Sequence, residues 1–171
     1  MLRSWHECRI RYDRQEEDGK IKKVSESYLV EALTYTEVET RLFKEQGQNI
    51  HGEYLIPNIK RARYSEVIPT ELNEDNPWFN CKYTMTILNE VSGKEQKVAM
   101  TALVQAEDCE DTLKRFGEYM RGTVSDIEIT SVSKSPIVAC YKAEDDASVS
   151  AQIEANSALP DPNPVSTPSV E

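Results

Sequence analysis

Glycine and histidine are scarce in this chain, with six glycines and two histidines in 171 residues. A phosphate-cradling loop needs several glycines close together. Here Asp18-Gly19-Lys20 and Ser92-Gly93-Lys94 each hold one, which a hairpin turn explains in full. His6 falls on a strand pattern and His51 in a loop, and neither is part of a recognisable catalytic constellation. The four cysteines, Cys8, Cys81, Cys109 and Cys140, lack the close pairing of a zinc site. Cys8 and Cys81 alternate with apolar neighbours, as a thiol acting as a small core hydrophobe does. No segment approaches the roughly 20 apolar residues that span a bilayer. The opening residues carry no secretory pattern, and lipidation signatures are missing. These absences lead to the expectation of a soluble cytoplasmic protein with reduced thiols. No membrane, metal or cofactor is expected, and no enzymatic activity.

Acidic residues are plentiful, but they sit in turns and in the C-terminal stretch rather than singly in apolar surroundings, where a carboxyl group of raised pKa would be found. Of the net charge of -10, residues 142–171 hold Lys142 against six carboxylates, or -5, leaving -5 for residues 1–141. Non-specific nucleic-acid binding draws its affinity from lysine and arginine neutralising phosphates, so this balance argues against it except through a local basic stripe. After Tyr141 there is no aromatic residue and no glycine, and prolines stand at 160, 162, 164 and 168. Residues 142–171 are therefore expected to form a disordered acidic tail.

What the chain does have is a repeat. Leu29-Val30, Ala32 and Arg41 recur as Leu103-Val104, Ala106 and Arg115 at an offset of 74, whereas Trp5 and Cys8 recur as Trp78 and Cys81 at 73, which adds one residue to the second hairpin. In each copy apolar residues first alternate with period two: Cys8, Ile10 and Tyr12 with His6, and Cys81, Tyr83, Met85 and Ile87 with Phe79. A turn and a second alternating strand follow. Then comes a helix announced by Thr34-Tyr35-Thr36-Glu37 or by Asp108-Cys109-Glu110-Asp111. Its inward face is expected to be Val38 and Leu42 in the first copy, and Cys109, Leu113, Phe116 and Met120 in the second. Gly47 and Gly122 are expected to stop the helices. A third strand closes each copy, beside either the first or the second.

The expected fold is thus α+β, a tandem duplication of a strand-strand-helix-strand unit. Antiparallel-rich sheets, each covered by one helix, would pack as a pseudo-twofold pair, because each copy covers the surface that the other leaves open. The boundaries read 1–68 for the first ββαβ repeat, 69–77 for a linker, 78–141 for the second repeat and 142–171 for the tail.

Alternation puts Trp5, Arg9 and Arg11 on the outward face of the first strand, and Trp78, Lys82 and Thr84 on that of its counterpart. An exposed tryptophan beside basic residues stacks bases or docks a peptide; a tryptophan lodged between the copies does neither. Lys60-Arg61-Ala62-Arg63-Tyr64 is the one basic cluster with an aromatic in it, and the second copy has Ser133-Lys134-Ser135-Pro136 there. The candidate nucleic-acid- or partner-binding residues are therefore Trp5, Arg9, Arg11, Trp78, Lys82, Lys60, Arg61, Arg63 and Tyr64.

The opening Trp-x-x-Cys-Arg-Ile-Arg-Tyr, the stretch from Lys23 to Leu33, Ile59-Lys60-Arg61-Ala62 and Leu103-Val104-Gln105-Ala106 resemble a domain-of-unknown-function family of small proteins from gut anaerobes and their phages. The resemblance covers residues 5 to about 141. It implies a cytoplasmic accessory protein carried by a phage or mobile element, and it transfers no catalytic or binding residue. The expectation is a non-enzymatic interaction module for a protein partner. The alternatives are a single-stranded nucleic-acid binder using the Trp/basic face and an acidic inhibitor that mimics nucleic acid.

Overall fold

The computed structural model describes residues 2–123 and 125–143, so the expected tail, but for Lys142 and Ala143, lies outside the described residues. The elements run β1 (Ser4–Gln15), β2 (Ile21–Ala32), α1 (Tyr35–Gln46), β3 (Tyr54–Arg61) and β4 (Glu66–Ile68), then β5 (Trp78–Asn89), β6 (Lys94–Gln105), α2 (Cys109–Tyr119), β7 (Ile127–Lys134) and β8 (Ile137–Tyr141). The fold is α+β. Long antiparallel hairpins form because the period-two pattern persists through twelve-residue strands and the turns supply glycine where the chain reverses. Gly19 and Gly93 have φ of 81° and 65°, the left-handed conformation that a side chain disfavours.

Two four-stranded sheets result, ordered β3-β1-β2-β8 and β4-β6-β5-β7. The third strand of each half pairs antiparallel with the first strand, not the second. The short strands β4 and β8 cross over. β4, from the first half, pairs parallel with β6, and β8, from the second half, pairs parallel with β2. Each sheet is therefore completed by a strand from the other half of the chain.

Matched arginines hold the crossing strands at their exits. Arg41 of α1 donates to the carbonyl oxygens of Glu31 and Lys142 at 2.7 and 2.6 Å, and so grips the chain as it leaves β8. Arg115 of α2 donates to the carbonyl of Pro69, where the chain leaves β4, at 3.1 Å. The stretch after β4 is tied down as well. The Gln105 side chain accepts from the backbone N–H of Thr70 and donates to the carbonyls of Glu74 and Asn76.

Both helices begin as the capping residues dictate. Thr34 accepts from the Glu37 N–H while Glu37 accepts from the Leu33 N–H, and Asp108 and Asp111 repeat the arrangement with Glu107. Two expectations are corrected. α2 buries Thr112 and Phe116, while Cys109 and Leu113 are exposed. Thr112 and Phe116 stand 74 residues after Val38 and Leu42, so position on the sheet outweighs local hydrophobicity, and the Thr112 hydroxyl is satisfied by donating to the Asp108 carbonyl at 2.7 Å. α2 also ends at Tyr119 with Met120 as its cap. Gly122 lies beyond, in a left-handed turn, while Gly47 caps α1 in a right-handed conformation.

Each helix covers one face of its sheet. Val38 and Leu42 of α1 pack on Cys8, Ile10, Tyr28 and Val30, and Phe116 of α2 packs on Phe79, Cys81, Tyr83, Ala102 and Val104. Burying each large apolar side chain of this kind contributes about 1.5–3 kcal/mol. A third cluster is built from the opposite sheet faces: Leu29, Trp78, Leu103 and Ile137, flanked by Trp5, Ala62, Tyr64, Val67 and Cys140. This is the seam between the sheets.

Candidate functional site

On the face of the first sheet away from α1, alternation along β1 presents Trp5, Glu7, Arg9, Arg11 and Asp13. Trp5 belongs to the seam. Farther along the strand, Arg9 lies between Ser27 and Asn58, Arg11 between Ser25 and Leu55, and Asp13 opposite Lys23. Arg9, Arg11, Lys23, Ser25, Leu55 and Asn58 are all exposed. Arg9, Arg11 and Lys23 make no ion pair among the described residues. An open hollow of about 500 Å³ lies against Arg11, Asp13, Lys23 and Leu55.

The corresponding face of the second sheet differs in charge. Lys82 lies between Thr101 and Ser131, and Thr84 between Ala99 and Glu128. A hollow of about 430 Å³ is lined by Thr84, Glu95, Lys97, Asp126 and Glu128, with Lys97 paired to Glu128 at 3.7 Å. Here three carboxylates stand against Lys82 and Lys97, whereas on the first sheet Arg9, Arg11 and Lys23 stand against Asp13 and Glu53, with Glu7 taken up by Lys60.

The nine candidate residues thus divide between several places. Arg9 and Arg11 share one open face, and Lys60 stands beside them on the neighbouring strand with its ammonium 3.3 Å from the Glu7 carboxylate. Lys82 is exposed on the other sheet. Arg61 pairs with His6 in register, which turns it to the opposite side from Lys60, and Arg63 is exposed past the end of the strand. Trp5, Trp78 and Tyr64 belong to the seam: Trp78 is only 4% exposed, Trp5 is half-buried, and the Tyr64 hydroxyl donates to the Asn80 side chain at 3.3 Å. Burial pushes the Tyr64 pKa up to about 12, with Glu7 and Cys140 adding to the effect. Of the surroundings assumed for base stacking, the basic residues stand in the open and the tryptophans do not.

The seam also contains space. A cavity of about 280 Å³ is bounded by Trp5, Trp78, Tyr119, Glu31, Glu66 and Cys140, among others, and an adjoining one of about 430 Å³ shares Trp78 and Cys140. The Tyr119 hydroxyl donates to Glu66 at 2.7 Å, and this bond is the first cause of its raised pKa. One oxygen of Glu31 accepts from the Ala143 N–H at 3.0 Å. Burial raises the Cys140 thiol well above its usual range, which keeps it protonated and a poor nucleophile.

Sequence reasoning missed Lys23, Leu55 and Asn58 on the open face. The parity of β2 carries the signal for Lys23, while the bulge in β3 between the partners of Arg9 and Arg11 scrambles it for the other two. Glu31, Glu66, Tyr119 and Cys140 had no local signal, because chain crossing brings them together. Among the described residues no three His, Cys, Asp or Glu side chains converge as metal ligands, and no helix is long and apolar enough to cross a membrane. His6, buried against the edge of Tyr35 at 5.3 Å between ring centres, leaves its Nδ1 without a hydrogen-bond partner among the described residues.

Two four-stranded sheets, each covered by one helix and joined by exchanged strands, define the class of protein. The chain belongs to the family described as Domain of unknown function (DUF4494), whose model matches residues 4–143. That match takes in every strand and helix described above. Comparison with curated proteins and with solved structures gave no match.

Proposed function

We propose that this protein is a non-enzymatic binding module whose open basic face on the first sheet receives an acidic segment of a partner protein. The observation that carries the reading is the group of Arg9, Arg11 and Lys23, exposed and, among the described residues, without ion pairs on a face that no helix covers. Arginine is suited to such a role because its planar fork binds carboxylates through two hydrogen bonds. The exposed Leu55, Ser25 and Asn58 around the cations supply apolar contact and neutral hydrogen bonding.

The chain is a tandem duplication in this reading, packed about a pseudo-twofold axis. Its support is the 74-residue offset, the repeated element order and the reciprocal exchange of β4 and β8. Duplication lets one copy keep a binding face while the other diverges, which accounts for the unequal charge of the two open faces. The resemblance to proteins of gut anaerobes and their phages supports an accessory role in a cytoplasm, and the buried Cys8 and Cys81 are at home among reduced thiols.

The test is a titration of fluorescent glutamate-rich peptides and of labelled single-stranded DNA and RNA at about 50 and 200 mM salt, the interval over which phosphate-driven affinity falls steeply. The expected result is saturable peptide binding that disappears in an Arg9→Glu, Arg11→Glu variant. Binding of the oligonucleotides alone would transfer the face to nucleic acid. No binding of either would overturn the proposal.

A further inference from the structure

We propose that the 280 Å³ cavity in the seam is a binding site for a small organic cation, an amine or quaternary ammonium compound. Three aromatic side chains, Trp5, Trp78 and Tyr119, and two carboxylates, Glu31 and Glu66, border it, against the single cation Lys142, which is exposed. The negative face of an indole or phenol ring attracts a cation, most strongly for tryptophan. An anion would meet two carboxylates and no buried positive group. A purely apolar ligand would strip water from both carboxylates without replacing it.

The carboxylates have capacity to spare. Glu31 and Glu66 each use one oxygen to accept a hydrogen bond, from the Ala143 N–H and the Tyr119 hydroxyl, and neither is in an ion pair among the described residues. An ionised carboxylate can accept about four hydrogen bonds. The volume of about 280 Å³ falls just below the range of ordinary ligand pockets, about 300 to 1,000 Å³, and so selects compact cations.

Position supports the assignment. The cavity borders both crossing strands, with Glu66 and Val67 from β4 and Cys140 from β8, together with one tryptophan from each half. A cation seated there contacts both halves of the chain and stabilises the exchanged arrangement over any opened form. The site is separate from the open basic face and does not depend on the reading given to it.

Tryptophan fluorescence and thermal unfolding of the full chain, titrated with choline, tetramethylammonium and agmatine, test the proposal, with sodium chloride and sodium butyrate as controls. The expected result is saturable quenching and a rise in melting temperature with at least one organic cation and with neither control. In Glu66→Gln, which keeps an acceptor for Tyr119, apparent affinity should fall about tenfold, the equivalent of about 1.4 kcal/mol. Trp5→Phe should bind more weakly but remain saturable. Circular dichroism confirms that both variants fold, and if Trp5→Phe does not, Glu66→Gln alone decides. Unsaturated responses up to about 10 mM, a response to sodium chloride equal to that of the cations, or unchanged affinity in Glu66→Gln would each overturn the assignment.

Discussion

The two halves solve one packing problem with different residues. At matched places the first core has Ile10, Tyr28 and Leu42, and the second has Tyr83, Ala102 and Phe116. The tyrosine sits on the second strand in the first core and on the first strand in the second, where Tyr83 meets Phe116 with ring centres 4.9 Å apart. In the first sheet Tyr28 stacks on Tyr141 of the crossing strand at 6.1 Å. Volume is kept roughly constant while the ring changes strand, as close-packed interiors require. The open faces are under no such constraint, and their charges differ. Core positions are fixed by volume and open positions by whatever they touch.

The sharpest way to break this comparison is to empty one core and watch the other. Phe116→Ala removes a side chain that is 1% exposed and should cost about 3–5 kcal/mol in urea denaturation. Because β4 and β8 tie each sheet to the opposite half, the unfolding curve should stay a single transition that takes both sheets with it. Two separated transitions would show that the halves are independent units. Leu42→Ala, its counterpart under α1, should destabilise by about 2–5 kcal/mol and likewise shift one shared transition.

Next in size are the clamps. Arg41→Ala loses hydrogen bonds to two carbonyls, and Arg115→Ala loses one to Pro69. With hydrogen bonds from charged groups contributing about 1.5–3 kcal/mol, Arg41→Ala should be the more damaging. Hydrogen exchange should show its effect first at β8, and that of Arg115→Ala at β4. Equal protection loss in both strands from either variant would argue against separate clamps.

The halves also differ in how they titrate. Burial pushes the Cys8 thiol from its ordinary 9.0 up to about 12, with Glu7 and Glu39 adding to the effect, whereas Cys81 is raised by burial alone. Tyr64 goes from 10.0 to about 12. In each case the fold favours the protonated group, so the unfolded chain gives up its proton first. The linked stability is whole below about pH 9 and is lost as pH rises towards 12. Stability measured from pH 8 to 12 should fall, and less steeply in Cys8→Ala than in Cys81→Ala relative to each variant's own value at pH 8. Equal slopes would remove the contribution assigned to Glu7 and Glu39.

Much of this molecule was legible because two periodicities and one offset were written into it. The hairpins, their glycine turns, the N-terminal caps of both helices and the inward faces of β1, β2, β5 and β6 all follow from residue patterns. The inward face of α2 followed in part: Phe116 and Met120 pack on the core as their spacing says, but Cys109 and Leu113 are exposed, and the 74-residue offset from Val38 points to Thr112 instead. The crossing strands were illegible for a physical reason. Glu66-Val67-Ile68 is too short to display a period, and its partner Ala102-Leu103-Val104 belongs to the other half. With them went the seam, since parity can say that Trp5 and Trp78 leave the helix-covered face but not what meets them there.

The smallest effect on stability should come from the change with the largest effect on binding. Arg9→Glu with Arg11→Glu alters exposed side chains without ion pairs among the described residues, and each such surface change is usually worth within about 0.5 kcal/mol. Thr84→Glu is the matching change on the second sheet, at the place aligned with Arg11. If the two open faces have separate duties, the arginine variant should lose binding of a glutamate-rich peptide while Thr84→Glu keeps wild-type affinity, with both melting like the parent. If both variants weaken binding equally, the added negative charge repels the peptide at long range wherever it is placed, and salt high enough to shorten the Debye length below its value of about 8 Å at 0.15 M should abolish the loss in both variants. A face built for contact would retain its preference there, because arginine forks and Leu55 act at touching distance where salt screens little.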